Sequence, residues 1–152
     1  MLDRLIPNFG PRVSVAMLIL RIVVGASFIL HGAPKMAHPM SWDGPNGPLP
    51  GVPGWMQLII CIAENAGGWC IILGLLTPLF ALIQACDMVV VVFIVKMSHG
   101  LPYVGTGRTY EVEAHLLAGA LILLLCGPGM FSLDAALTSF TKRRRTQTAV
   151  SS

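Results

Sequence analysis

Arg21, Glu64 and Asp87 each interrupt a different apolar stretch of this 152-residue chain, Arg21 and Asp87 about eight residues inside their runs and Glu64 about nine. At roughly 1.5 Å per helical residue, all three lie about 12 to 14 Å from their starting surface, near the middle of a hydrocarbon layer about 30 Å thick. A charge there costs at least about 2.5 to 3.5 kcal/mol, so each needs a partner or a task. One arginine between two carboxylates shares charge-assisted hydrogen bonds and leaves one negative charge in excess, which a proton on one carboxyl removes. Such a triad either fixes helix register or moves a proton when a bound redox ligand, such as a quinone, is reduced and oxidised. We read Arg21 with Asp87 as a structural ion pair and Glu64 as the proton acceptor. Asn65 beside it carries an amide that donates to a carbonyl, and Ala66-Gly67-Gly68 leaves room for a flat ligand or a closely packed helix.

A second layer of polar residues falls at the opposite, outer end of the same stretches: His31 and Lys35, Lys96 and His99, Arg108 and Tyr110, then Glu111, Glu113 and His115. His31 and Lys35 are four apart, as are Glu111 and His115, so each pair shares a helical face. Imidazoles, carboxylates and lysines at a lipid-water boundary suit binding of quinone carbonyls and proton relay. In this reading His31 and His115 relay protons, Lys35 and Arg108 attract an anionic donor, and His99, Glu111 and Asn65 contribute ligand contacts. Three histidines and two glutamates also suit a divalent metal, but no HExxH or ExxH pair supports one and no metal is assigned. Non-covalent haem between His31 and His115 is a further, less favoured reading, and His38 reads as a hydrated surface residue.

The elements that position these residues follow from composition. With 55% hydrophobic and 11% charged residues, a water-soluble domain would lack surface, and the combination is the reverse of disorder. The sequence therefore predicts an all-α integral membrane four-helix bundle, with spans at about 13–33, 55–76, 79–97 and 110–126. The first run is too long for a signal-peptide core and no small-x-small site follows it. Thr77-Pro78 makes a tight hairpin of the second and third spans, and Gly127-Pro128-Gly129 ends the fourth. Arg4, Arg12 and Arg21 at one end and Lys142 to Arg145 at the other place both termini in the cytoplasm. Residues 34–54, with six prolines and four glycines, form an external loop that its own contacts must pin. Residues 130–140 read as a short interfacial helix with Ser132 as its N-cap, and 141–152 as a basic disordered cytoplasmic tail. Cys61, Cys70, Cys86 and Cys126 have no CxxC spacing and read as small buried hydrophobes.

His31-Gly32-x-x-Lys35, Glu64-x-x-Gly67-Gly68, Gly74-Leu75-Leu76-Thr77-Pro78, His99-Gly100 and Gly127-Pro128-Gly129-x-x-Ser132-Leu133-Asp134, in this order across four apolar segments, resemble the DoxX family over most of residues 14–137. The resemblance implies a small four-helix membrane protein of a bacterial cytoplasmic (inner) membrane. Related members are subunits of a thiosulfate:quinone oxidoreductase or are described as quinol oxidase subunits, and many others have no assigned activity. It marks Arg21, His31, Lys35, Glu64 and His99 as family-like polar positions. The long Pro-rich loop departs from the compact family pattern.

The expectation is therefore a quinone-linked oxidoreductase, or a membrane subunit of one, taking electrons from a small reduced donor, of sulfur type by resemblance, or from a partner on the outer face. No flavin, haem or iron-sulfur motif is present, so a partner redox subunit is favoured over chemistry within this chain. Other expected partners are lipid and further copies of the chain, and no nucleic-acid motif occurs. The rivals are a non-enzymatic scaffold recruiting a redox enzyme through residues 34–54, and a small transporter lined by the mid-membrane charges.

Overall fold

In the computed structural model, which describes residues 10–44, 47, 49 and 51–140, the described residues form helices and loops without a strand. The basic tail 141–152 and Arg4 lie outside the described residues. Helix α1, Pro11–Gly32, starts on Pro11, whose fixed φ suits a first helical position, and runs on as a 3-10 turn over Ala33–Ala37. Helix α2, Gly54–Leu73, follows Pro53 and stops where Gly74 takes φ 70°. There the Leu75 N–H donates to Cys70 O (2.9 Å), which closes the helix end. Leu76 is left-handed as well (φ 48°), so the hairpin turns within three residues. Helix α3, Thr77–Val89, continues as a π-helix over Val90–Met97. Helix α4, Glu111–Cys126, has Glu111 and Glu113 in its first turn, where the helix dipole favours carboxylates. Helix α5 covers 133–140.

Helix α1 packs on α2 and α4, and α3 packs on the same two, which closes a ring. Val24 and Phe28 from α1, Ile71 from α2, Ala81 and Met88 from α3, and Leu116 and Leu123 from α4 fill its centre. Ile19, Val23, Leu30, Ile62, Trp69, Phe93 and Leu125 point outward and are exposed, as apolar side chains are when lipid is the solvent. The helices Pro11–Ala37, Gly54–Leu73 and Thr77–Met97 are long and apolar enough to cross a membrane. The fourth apolar segment is helical as expected, but its 16 residues reach only about 24 Å at the helical rise. The Gly127-Pro128-Gly129 turn cuts it short.

The α1–α2 contact is set by glycine. A Cβ on Gly68 would lie 2.8 Å from Gly25 O, and one on Gly25 would lie 2.6 Å from Gly68 O. Further along, Gly32 sits against Asn65 and Glu64. This antiparallel register puts Gly32 level with Glu64, and Arg21 level with Gly74 at the hairpin end.

The hairpin end is tied together by the segment after α4. Ser132 Oγ accepts from Ala135 N (3.1 Å), the cap expected for α5. Asp134 accepts from Leu76 N (2.9 Å) and Thr77 N (3.1 Å), so α5 caps the start of α3 from across the fold. The Asp134 N–H donates to Gly74 O (3.0 Å), and the Met130 N–H to Ser14 Oγ (3.3 Å). Arg21, wholly buried, donates from Nη2 to Phe131 O and feels the Asp134 charge.

Candidate functional site

The register that levels Gly32 with Glu64 brings the next turn of α1 over it. Lys35, on the 3-10 extension, donates from Nζ to Glu64 Oε1 at 2.6 Å. The carboxyl of Asp87, from α3, lies within hydrogen-bonding reach of the Glu64 carboxyl. Glu64 Oε2 and Asp87 Oδ2 are both buried and receive no hydrogen bond from a protein donor. Two acceptor groups face each other beside a single ammonium, an arrangement that a shared proton stabilises. Around them, Asn65 Nδ2 donates to Cys61 O (2.9 Å), and the buried Cys61 sulfur touches Met36 Sδ at 3.3 Å.

The described residues of the 34–54 loop form a strap beside this cluster. Trp42 presents its ring to Lys35 Nζ, 4.5 Å from the ring centre, a cation–π contact. The indole N–H donates to Gln57 O at 3.0 Å. Gln57, 5% exposed, accepts from Asp43 N (3.0 Å) and donates to Asp43 O (3.3 Å) and Val52 O (3.0 Å), so one side chain stands in for a strand partner. Asp43 Oδ2 in turn accepts from Leu49 N at 3.1 Å. Gln57→Ala should leave three main-chain groups without a partner, the two of Asp43 buried, a local cost of about 1 to 3 kcal/mol. Limited proteolysis should then cut within residues 38–53 at least about tenfold faster than in the parent, and an unchanged rate would show that the strap is held otherwise.

A family model described as DoxX matches residues 16–97, more than half of the chain. The chain belongs to the DoxX family. It is 26% identical over 125 residues to a Bacillus subtilis (strain 168) protein named "Putative oxidoreductase CatD", covering 79% of this chain and 85% of that one. It is also 26% identical over 145 residues to "Uncharacterized membrane protein Rv3486" of Mycobacterium tuberculosis (strain ATCC 25618 / H37Rv), covering 89% of this chain and 87% of that one. No solved structure matches it.

In this DoxX protein the strap end holds one converged cluster, and its cation differs from the expected one. The Arg21–Asp87 pair does not form. Arg21 is eleven residues, about 16 Å along α1, from the level of Glu64 and turns to Phe131 and Asp134 instead. Lys35 takes the place foreseen for Arg21. His31 has the right height but the wrong face: Arg21, Gly25, Phe28 and Gly32 form the buried line of α1, and His31 is exposed beside it. The remaining expected residues stand apart from Glu64. His115 is exposed, with Nδ1 at 2.6 Å from Glu111 O and its ring stacked 6.5 Å from Tyr103. His99 turns back to Val95 O and Ser98 on its own helix end, Arg108 is exposed, and Glu111 is half-buried in the first turn of α4. Lys96 closes a second clamp, with Nζ at 2.6 Å from both Glu113 Oε1 and Thr109 O. Among the described residues no three His, Cys, Asp or Glu side chains are grouped to hold a metal.

Sequence reasoning missed Trp42, Gln57, Met36 and Asp134. Asp134 was within reach, because Ser132-x-Asp134 after a Gly-Pro-Gly turn is a capping pattern, but nothing in its spacing names α3 as the helix it caps.

Proposed function

We propose that this DoxX-family membrane protein is a quinone-linked redox protein, or the membrane subunit of one, and that Lys35, Glu64 and Asp87 form its proton-exchanging site. The carrying observation is the buried contact between two carboxyls from different helices, each with an oxygen that receives no hydrogen bond, beside one lysine. A bound quinone supplies two-electron chemistry that also moves two protons. The residues here fit that need. Glu64 and Asp87 hold and release protons at Oε2 and Oδ2, while the Lys35 ammonium sets the charge balance and donates to a carbonyl or an anion. The name of the Bacillus relative agrees with a redox role.

In the same reading the chain spans a bacterial inner membrane four times, with the termini and the Arg21–Asp134 end in the cytoplasm and the strap outside. A small reduced donor, of sulfur type by family, or a partner redox subunit delivers electrons at the strap. Helix α4 crosses as a short member of the ring, packed between α1 and α3. Purified protein titrated with decylubiquinone should show saturable binding, and Glu64→Gln should weaken it at least about tenfold while helical content stays unchanged. Equal binding by the parent and Glu64→Gln would remove Glu64 from the quinone site.

A further inference from the structure

The Lys35–Glu64 contact is between partners of unequal exposure. The Lys35 side chain is 23% exposed and that of Glu64 only 3%, so an ion arriving from the strap side meets the ammonium before the carboxylate. Lys35 has three donors, of which the Glu64 bond uses one, and the Trp42 ring covers another side. We propose that Lys35 accepts a small monovalent anion from the strap side in exchange for Glu64, and that each anion enters together with one proton received by the Glu64–Asp87 pair. This rests on reading the cluster as a proton-exchanging site but not on the quinone.

The argument is charge balance in a poorly solvated place. The 3-10 extension of α1 contributes Lys35, α2 contributes Glu64 and the Cys61 thiol, and α3 contributes Asp87. The strap adds the neutral Trp42, and the acid on it, Asp43, has Oδ2 held by Leu49 N and its main chain held by Gln57. Beyond the cluster, His31 faces outward and Glu113 of α4 is bound to Lys96. One ammonium, two carboxyls and one shared proton sum to zero. An anion that draws Lys35 away leaves an uncompensated carboxylate beside Asp87, and burial of such a charge is far costlier than its protonation. Anion and proton therefore bind as a neutral pair. By linkage the apparent affinity changes tenfold per pH unit where one proton accompanies one anion.

Formate, which reproduces the group Lys35 now holds, is the probe. The full chain in detergent, with Trp55 and Trp69 replaced by phenylalanine so that Trp42 reports alone, is titrated at constant ionic strength with gluconate as background. Formate should alter Trp42 fluorescence, with an apparent Kd that falls about tenfold per unit from about pH 8 to about pH 6. In Glu64→Gln/Asp87→Asn, binding should persist with no pH slope, and at high pH it should be tighter than in the parent. Lys35→Met should abolish it. A pH-independent affinity in the parent, or formate binding by Lys35→Met equal to the parent's, overturns the proposal. The parent's slope decides alone if the double variant does not fold. Loss of decylubiquinone binding with the formate slope intact would sink the quinone reading and leave this one standing.

Discussion

Asp134→Ala is expected to cost about 2 to 4 kcal/mol, although its carboxylate accepts hydrogen bonds from main-chain donors: about 1 kcal/mol from the two capping bonds lost at Leu76 and Thr77, the rest from the cation left uncompensated in the interior. Arg21 is wholly buried, and its Nε and Nη1 have no protein acceptor. Its stabilisation therefore depends on Phe131 O and on the nearby Asp134 charge. Arg21→Met removes the cation together with its need, and should change stability by less than about 1 kcal/mol, in either direction. In the Arg21→Met background, Asp134→Ala should cost only the caps. A double-mutant cycle by detergent unfolding, followed by circular dichroism, should thus give a coupling of at least about 1 kcal/mol. Equal costs of Asp134→Ala in both backgrounds would show that Asp134 acts as a cap alone.

The second large effect is expected at Gly68. Even a methyl group there meets Gly25 O at 2.8 Å and Ile29 Cγ1 at 2.7 Å, and the first of these is backbone that cannot step aside. Gly68→Val should separate α1 from α2 at a cost of about 3 kcal/mol, at the upper end of ordinary overpacking. The neighbouring glycine is the control. A Cβ on Gly67 meets the ends of Gln84 (Nε2, 2.9 Å) and Phe80 (Cδ1, 3.2 Å), which are side chains able to move. Gly67→Ala should then fall within about 1 kcal/mol of the parent, since alanine's better helix propensity offsets the adjustment. The two variants also separate packing from proximity to Glu64. Gly68→Val should lower the midpoint of thermal unfolding and flatten the pH slope of formate binding together, because Lys35 reaches Glu64 only while α1 and α2 stay close. Similar stabilities for the two variants would refute the backbone-contact account.

What could be read from the residues alone depended on which ones carry a period or a fixed φ. The four apolar helices were legible because lipid leaves long uncharged runs, and Pro11, Gly74, Pro78 and Gly127 mark their limits within a few residues. The π-helix over Val90–Met97 was not legible, since a run of valines there has the same composition whichever hydrogen-bond ladder it adopts. Depth was the useful measure for Glu64 and Asp87, which do meet. It failed for Arg21 because each residue was counted from the end of its own run, whereas the glycine contacts slide α1 and α2 so that Glu64 stands opposite Gly32. His31 shows the other failure: height along a helix does not fix its face, and the buried line passes through Gly32 beside it. Trp42 and its Gln57 anchor lie in or next to a Pro-rich loop without periodicity, where only tertiary contacts select the conformation.

The hydrogen bond from Arg21 to the Phe131 carbonyl joins residues 110 positions apart. While the ribosome is still making the middle of the chain, the first helix has therefore to wait with a guanidinium whose acceptor does not yet exist. A nascent α1 in lipid at that moment would carry a charge whose partners at the hairpin end are still missing. Chains truncated before residue 131, which leave this charge unmatched, should accordingly be degraded faster than the full chain.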